Sequence, residues 1–161
     1  MDDCCAKPGL LPVETALQRL LKLADATPVN ASEEVALAAA DGRVLAQAVV
    51  AGLDLPPWDN SAMDGYALRL ADAGGEPLAV SQRIFAGTAP SPLQAGTCAR
   101  IFTGAPIPQG ADCVEMQESV ELLADGRVRF LQPLKERQHI RPQGQETRSG
   151  ETVLEAGTRL T

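Results

Sequence analysis

Apolar residues near the start of the chain recur at intervals of three and four, which predicts an amphipathic helix. The helix is expected to begin around Pro12, which suits a first helical turn, and to end at Thr27-Pro28. Because a single apolar stripe has to be buried, this helix is expected to need a partner surface. The stripe consists of Val13, Ala16, Leu17, Leu20, Leu21 and Ala24.

The next part of the chain has a less decisive pattern. Apolar residues alternate over 35–40 as in a strand, whereas the alanines in this run favour a helix, so both structures stay open. Asp41 predicts the N-cap of a short helix that runs through Val44, Leu45 and Ala48.

From about residue 49 onward, short apolar pieces alternate with Gly and Pro, which predicts a β-rich body. Asp125-Gly126 predicts a two-residue type I′ turn in a hairpin, since Gly accepts a positive φ without strain. The fold class is therefore α+β and rich in β-structure. The predicted strands cover 65–70, 78–85, 98–102 and 113–117, followed by a hairpin of 120–123 with 128–131.

Length and charge narrow the range of partners. The 161 residues allow one domain or two small ones, and the net charge is −7. An acidic balance argues against duplex nucleic acid and against an anionic membrane, because both normally require clustered Lys and Arg. No run approaches a membrane span and the first residues are acidic, so we expect a cytoplasmic protein.

Four cysteines raise the question of a disulfide or a zinc site. Cys4 and Cys5 are adjacent, and Cys98 and Cys113 have neither a C-x-x-C spacing nor a nearby His. The pattern therefore favours two core thiols and a loose tail.

Basic residues concentrate in one segment. Residues 127–148 contain six Lys or Arg against two Glu, so this segment carries +4 and the rest of the chain −11. The segment is either a surface for an anionic ligand or acidic partner, or a solvated strand face.

The densest polar cluster, 59–66, follows the stiff run Pro56-Pro57-Trp58. Asp59 and Asp64 are five residues apart across a turn, a spacing that would let them share Mg²⁺ with water and phosphate oxygens. Turn and capping roles explain the same two aspartates, so both interpretations stay open.

Two further loops carry polar groups. In 102–112, Thr103 and Gly104 offer a hydroxyl and an accessible backbone, which suits either an oxyanion or a plain connection. In 138–146, Arg141 is able to hold a phosphate, while His139 has no partner at ligand spacing. The chain contains no P-loop, G-x-G-x-x-G or nucleophile elbow.

Taken together, three motifs resemble the molybdopterin molybdenumtransferase family, known as MoeA and as the gephyrin E-domain. The resemblance runs from about Val13 to Thr161. Its most specific part is the first motif, because eleven residues in one order are improbable by chance. The motifs are PWDNSAMDGYA at 57–67, RIFTGAPIP at 100–108 and MQE at 116–118.

The resemblance implies an enzyme of molybdenum cofactor synthesis. Such enzymes take molybdate and adenylylated molybdopterin, hydrolyse the adenylate in a Mg²⁺-dependent step, and release AMP. Family members continue into a molybdopterin-binding α/β domain and a small β-barrel that have no counterpart in these 161 residues. We therefore expect this chain alone to be inactive.

The resemblance also implies an architecture and partners. Residues 1–27 would form a tail and the helix, 28–47 with 140–161 an extended α+β lobe built from both chain ends, and 48–139 a compact β lobe. The helix would pack on the α/β domain. A homodimer and contact with the molybdopterin adenylyltransferase of the same pathway are expected, with the cleft formed between two subunits.

Roles carry over by resemblance onto named residues. Asp59, Thr103 and Glu146 are assigned to catalysis, and Asp59 also to the metal. Substrate binding is assigned to Asn60, Ser61, Asp64 and Arg141.

The third element departs from the family pattern Gly-x-Asn-Ile-Arg-x-x-Gly-Glu-Asp. Arg137 stands where Gly is usual, His139 replaces Asn, and Gln145-Glu146 replaces Glu-Asp. Glu146 would place its carboxylate one methylene further out than Asp.

Two alternatives stay open. The fragment would be a non-catalytic association or dimerisation module if the departures near residue 140 mean lost chemistry, although the first motif is fully kept. A Mg²⁺-dependent phosphohydrolase based on Asp59 and Asp64 would lack both a general base and a helix that cradles phosphate.

Overall fold

The amphipathic helix expected near the start is present as α1, Val13–Ala26. It begins directly after Pro12 and ends before Thr27, as the sequence predicted. The structure, a computed structural model, describes residues 10–29 and 31–161. No residue of α1 is buried, and most of its apolar stripe is exposed.

The described residues divide into two units, one that extends up to Ala46 and includes Arg159–Thr161, and one that covers Gln47–Thr158. The lobe boundaries implied by the resemblance stay a prediction. In the first unit, the ambiguous run near residue 37 forms one turn of 3₁₀-helix, Leu37–Ala39, so neither a strand nor an α-helix is present there.

The short helix predicted after Asp41 is wrong. Gly42 has a φ of 75°, and its N–H donates to the carbonyl of Leu160 at 2.9 Å. The N–H of Leu160 donates back to the carbonyl of Arg43 at 2.8 Å. Pairing with the distant end of the chain, which includes a bridge between Val44 and Arg159, therefore holds this segment in a turn and overrides its local helical preference.

The second unit is built from short strands, and every predicted strand is present with ends shifted by one or two residues. The strands that were not predicted, at 49–50, 60–61, 140–141 and 152–154, are two or three residues long. The strands are β1 Val49–Val50, β2 Asn60–Ser61, β3 Gly65–Leu68, β4 Ala79–Ile84, β5 Thr97–Ile101, β6 Cys113–Met116, β7 Val120–Leu122, β8 Val128–Phe130, β9 Ile140–Arg141 and β10 Thr152–Leu154.

A four-stranded sheet in the order β4-β5-β3-β6 organises this unit. β4 lies parallel to β5, and the other two pairs are antiparallel. Residues of β3 are buried on both faces, with Ala67 in one apolar cluster and Tyr66 and Leu68 in the other. Because alternate side chains of a strand point to opposite faces, the sheet lies between two small cores. The β-rich fold class is thus confirmed.

The hairpin of β7 and β8 is present, but its predicted turn type is wrong. The N–H of Gly126 donates to the carbonyl of Leu123 at 2.9 Å, and Gly126 alone of this turn has a positive φ. A two-residue type I′ turn needs two positive φ values, which Asp125 does not supply. The turn is therefore a longer one that closes between Leu123 and Arg127.

Cys98 and Cys113 are free and buried, which confirms the expectation of core thiols. Burial raises the pKa of both thiols to about 12, so both are protonated near neutral pH. Cys4 and Cys5 lie outside the described residues. Among the helices of the described chain, none has the length and apolar character needed to cross a membrane.

Candidate functional site

Backbone hydrogen bonds join the first motif (57–67) to the second (100–108) and to the third segment, which we define as residues 137–146. In the second unit, β2 pairs with β9, with Asn60 opposite Arg141. On its other side, the N–H of Ser61 donates to the carbonyl of Ala105 at 2.9 Å, and the N–H of Gly104 donates to the carbonyl of Ser61 at 2.8 Å. Segments about 40 and 80 positions apart therefore lie side by side around residues 59–61.

Asp59 is held from two directions by the third segment. The Arg137 guanidinium donates to one carboxylate oxygen at 2.6 Å, and the N–H of Gln143 donates to the other at 2.8 Å. The hydrogen bond from Arg137 lowers the pKa of the Asp59 carboxyl, and partial burial opposes that shift. Asp59 is therefore an oriented, ionised carboxylate at neutral pH.

Asp64 is held by the second segment instead. One of its oxygens accepts two hydrogen bonds from Thr103, from the backbone N–H and from the hydroxyl, both at 2.8 Å. These bonds lower the pKa of the exposed Asp64 carboxyl, the backbone bond having the larger effect. The two aspartates of the first motif are thus each held by a different loop, and a cation shared between them stays a prediction.

Asn60 carries a buried acceptor without a donor. The residue is 9% exposed, and within the described part of the chain its side-chain oxygen Oδ1 accepts no hydrogen bond. Leaving a buried polar atom unpaired costs about 1–3 kcal/mol. A donor from a bound molecule would satisfy this atom.

Ser61 is fully buried, and its hydroxyl serves its own turn. The hydroxyl donates to the carbonyl of Met63 at 2.6 Å and accepts from the N–H of Met63 at 3.3 Å. Its hydrogen-bonding capacity is therefore used within the motif, where it fixes the path of the chain between Asp59 and Asp64.

Arg141 and Glu146 both lie on the exposed part of the third segment. No described residue receives a hydrogen bond from the Arg141 guanidinium or donates one to the Glu146 carboxylate. The backbone beneath Glu146 is fixed, because its N–H donates to the carbonyl of Leu55 at 2.8 Å. Both side chains are thus available to a ligand.

Arg137, Gln143 and Asp54 belong to this site, although sequence reasoning assigned them no role there. Asp54 accepts from the Gln143 side-chain amide at 2.7 Å and from the N–H of Ser149 at 2.8 Å. Arg137 and His139 are the two non-glycine residues with a positive φ in the described chain, at 62° and 55°. These are the positions where the resemblance expects Gly and Asn, the residues that best tolerate this conformation, so the family pattern contained a signal for this loop that the sequence prediction did not use.

The basic segment 127–148 is partly neutralised by residues before it. Arg127, Arg129 and Arg137 form ion pairs with Asp125, Glu121 and Asp59. Lys135, Arg141 and Arg148 have no ion pair with any described residue. The excess positive charge of this segment therefore comes from those three side chains, of which Arg141 lies beside the first motif.

The resemblance implies that Asp59 binds Mg²⁺, which requires free carboxylate lone pairs and access from solvent. Each of its oxygens accepts one hydrogen bond from the described chain, and the side chain is 36% exposed. Mg²⁺ takes one or two protein carboxylates and fills its remaining positions with water and phosphate oxygens. Within residues 10–29 and 31–161, no three His, Cys, Asp or Glu side chains form a metal cluster. The lone pairs left on the Asp59 carboxylate are therefore compatible with a Mg²⁺ site that takes one protein carboxylate.

A family model described as the MoeA N-terminal region, domain I and II, matches residues 11–161. A molybdopterin molybdenumtransferase of Haemophilus influenzae is 41% identical over 135 residues, which cover 81% of this chain and 33% of that protein. One of Synechococcus elongatus is 39% identical over 161 residues, which cover 94% of this chain and 39% of that protein. This chain thus spans little more than a third of those relatives.

A solved structure has the same fold. The crystal structure of the molybdopterin biosynthesis moeA protein from Pyrococcus horikoshii OT3 superposes with a TM-score of 0.84 at 36% identity. The match covers 94% of this chain and 41% of that chain.

Proposed function

This chain belongs to the MoeA N-terminal family, and on that premise we propose that it forms the front part of a molybdopterin molybdenumtransferase. The enzyme would insert molybdate into adenylylated molybdopterin and release AMP. Because the chain spans 33% of the Haemophilus influenzae relative, groups that bind the pterin would come from outside these residues. The chain alone is proposed to be inactive.

The backbone pairing of the first two motifs and the third segment around residues 59–61 carries the proposal. It presents the Asp59 and Asp64 carboxylates, the Thr103 hydroxyl and the free Arg141 guanidinium on segments that β2 holds together. Such a mixture of fixed charges and polar groups suits a substrate that carries both a phosphoanhydride and hydrogen-bond donors.

Three residues are proposed to act in catalysis. Asp59 is ionised and oriented by Arg137 and Gln143, so it presents a fixed negative charge. Thr103 donates its hydroxyl proton to Asp64 in a hydrogen bond. Its oxygen lone pairs therefore remain free to accept a hydrogen bond from an attacking water. Glu146 supplies a second, unpaired carboxylate as a proton acceptor.

Four residues are proposed to bind substrate. The unpaired Oδ1 of Asn60 would accept an N–H or O–H of the substrate. Arg141 would hold a phosphate oxygen pair with its forked guanidinium. Asp64 would act by orienting Thr103, and Ser61 through the turn that it closes.

Asp59 is also the proposed protein ligand of Mg²⁺. The ion, when bound there, would offset the charge that develops on the leaving phosphate. The carboxylate's own part is to hold its free lone pairs in a fixed direction, which the bonds from Arg137 and Gln143 ensure.

The protein is further proposed to form a homodimer in the cytoplasm and to contact a molybdopterin adenylyltransferase. Exposed apolar residues of the first unit support a partner surface. Its groove of about 510 Å³ is lined mainly by apolar side chains, among them Val29, Val35, Leu37 and Val44.

A chimera tests this function. Residues 11–161 replace the matching part of the Haemophilus influenzae relative, and AMP release is measured with adenylylated molybdopterin, molybdate and Mg²⁺. We expect release by the chimera at a rate near that of the relative, and none by this chain alone. A folded chimera that releases no AMP would contradict the proposal and support the non-catalytic association module.

A further inference from the structure

The Arg137 side chain projects from a position of the third segment whose backbone is fixed by hydrogen bonds. Its N–H donates to the carbonyl of Asp112 at 2.8 Å, and its carbonyl accepts from the N–H of Ile140 at 3.2 Å. Gln138, the next residue, bonds through its side chain to the buried Glu115 at 2.9 Å. The position of the Arg137 Cα is therefore fixed independently of its own side chain.

The backbone conformation at Arg137 is one that a side chain disfavours. Its φ of 62° lies in the left-handed region, where Gly is the least strained residue. Strain of this kind persists where the surrounding structure enforces it, and it is concentrated at functional sites. A large cationic side chain at such a position therefore calls for a role beyond support of the backbone.

The contact with Asp59 uses a small part of the Arg137 guanidinium. A guanidinium has five N–H donors, and one of its nitrogens bonds to Asp59 while no other described residue accepts from this group. The side chain is 49% exposed. Asp59 thus orients the guanidinium and leaves several of its N–H groups open beside the first motif.

A second guanidinium comes from the same segment. Arg141 lies four positions further on, in β9, directly opposite Asn60. Asp59 pairs with Arg137 and the neighbouring Glu136 also acts on its charge, so the positive charge next to β2 that no described carboxylate pairs with is that of Arg141. A tetrahedral oxyanion accepts several charge-assisted hydrogen bonds at once, which suits two arginines carried by one short segment.

We propose that Arg137 is a further substrate-binding residue of this chain, which donates its open N–H groups to a tetrahedral oxyanion held beside Asp59 and Arg141. The oxyanion is a phosphate monoester or molybdate. The inference rests on the proposed function for the setting of the site, but its test needs the anion alone and no turnover.

The test measures anion affinity by equilibrium dialysis, with molybdate, AMP and adenosine as separate probes and the 161-residue chain as the protein. Arg137→Gly suits the left-handed φ, so this variant is expected to keep its fold and melt within a few degrees of the wild type. Arg137→Lys keeps the charge without the fork. Arg129→Gly is the matched control, because Arg129 forms an equally short ion pair with Glu121 at 2.6 Å on the hairpin of β7 and β8.

We expect the wild-type chain to bind molybdate or AMP but not adenosine. Arg137→Gly should weaken that binding about 10-fold or more, Arg137→Lys should weaken it less, and Arg129→Gly should leave it unchanged. The probe that loses affinity identifies the oxyanion. Unchanged affinity in Arg137→Gly, an equal loss in Arg129→Gly, or a wild-type chain that binds neither anion would overturn the inference.

The anion-binding test of Arg137 and the AMP-release test of the chimera can fail independently of each other. If the chimera releases no AMP while Arg137→Gly still weakens anion binding, the transferase function fails and the oxyanion site stands. If the chimera releases AMP while Arg137→Gly binds both anions normally, the oxyanion role of Arg137 fails and the transferase function stands.

Discussion

Thr103 donates both its backbone N–H and its hydroxyl to one oxygen of Asp64, each at 2.8 Å. The two residues are 39 positions apart, and their contact ties the loop after β5 to the start of β3. It also fixes the direction of the Thr103 hydroxyl proton, which points to Asp64 and leaves the oxygen as an acceptor.

The two hydrogen bonds to Asp64 are separable by substitution at Thr103. Thr103→Val removes the hydroxyl and keeps the backbone N–H, which has the larger effect on the carboxyl. We therefore expect the pKa of Asp64 to rise in this variant yet remain below the ordinary aspartate value of about 3.9. NMR titration of the Asp64 carboxyl measures it, with Thr103→Ser as the control that keeps the wild-type value. An unshifted pKa in Thr103→Val would contradict the contact.

The lowered pKa of Asp64 also predicts how the stability of the protein depends on pH. Because the pKa of Asp64 is lowered in the folded state, the contact stabilises the protein above the unfolded value of about 3.9. Its contribution is lost as the pH falls through the lower, folded pKa. The difference in unfolding free energy between wild type and Asp64→Asn should therefore disappear in that acid range.

Gly65 follows Asp64 directly and is required by close packing of the sheet. A Cβ at this position would lie 1.9 Å from the carbonyl oxygen of Glu115 in β6. We expect Gly65→Ala to lower the unfolding free energy by about 3 kcal/mol, since backbone has to shift to accommodate it. Urea denaturation measures the change. Gly52→Ala, whose Cβ would meet nothing within 4 Å, is the control, and equal stabilities of the two variants would refute the close approach.

The exposed stripe of α1 predicts self-association of the isolated chain. Val13, Leu17, Leu20 and Leu21 are 85%, 49%, 64% and 57% exposed, and contiguous apolar surface of this kind is rarely left uncovered in solution. We expect the double variant Leu17→Lys/Leu20→Lys to be more monomeric than the wild type in sedimentation velocity. Leu122→Lys is the control, because Leu122 is 63% exposed but lies in β7, outside the stripe. A wild-type chain that stays monomeric at high concentration would contradict this expectation.

Features that depend on local pattern were predictable from the sequence. The apolar spacing that predicts α1 is contained within that helix, and the same holds for the strands of the main sheet. The helix predicted after Asp41 was wrong because Leu160, near the other end of the chain, pairs with this segment. A contact between residues so far apart in the chain cannot be predicted from the residues around Asp41 alone.

In the candidate site too, features of the local sequence were predictable and contacts between distant residues were not. The motif around Asp59 is visible as a dense polar run, and the resemblance assigned its roles. The ion pair between Asp59 and Arg137 spans 78 positions, so no spacing rule reveals it. The burial of Ser61 was likewise hidden, because a serine in a polar run gives no sign that its hydroxyl closes a turn on Met63.

The central claim is that Asp59 takes part in chemistry rather than in folding alone. Asp59→Asn keeps the shape of the side chain and removes its charge, and the chimera with the Haemophilus influenzae relative provides the assay. Asp54→Asn is the matched control, because Asp54 also accepts two hydrogen bonds, from Gln143 and Ser149, but has no proposed part in catalysis.

The deciding measurement is the single-turnover rate of AMP release by the Asp59→Asn chimera, taken together with its melting temperature. We expect the rate to fall about 100-fold or more, as for the loss of one well-placed electrostatic group, while the melting temperature stays close to that of the unmodified chimera. A variant that melts several degrees lower yet keeps its rate would contradict the account, since Asp59 would then be a structural cap of its turn.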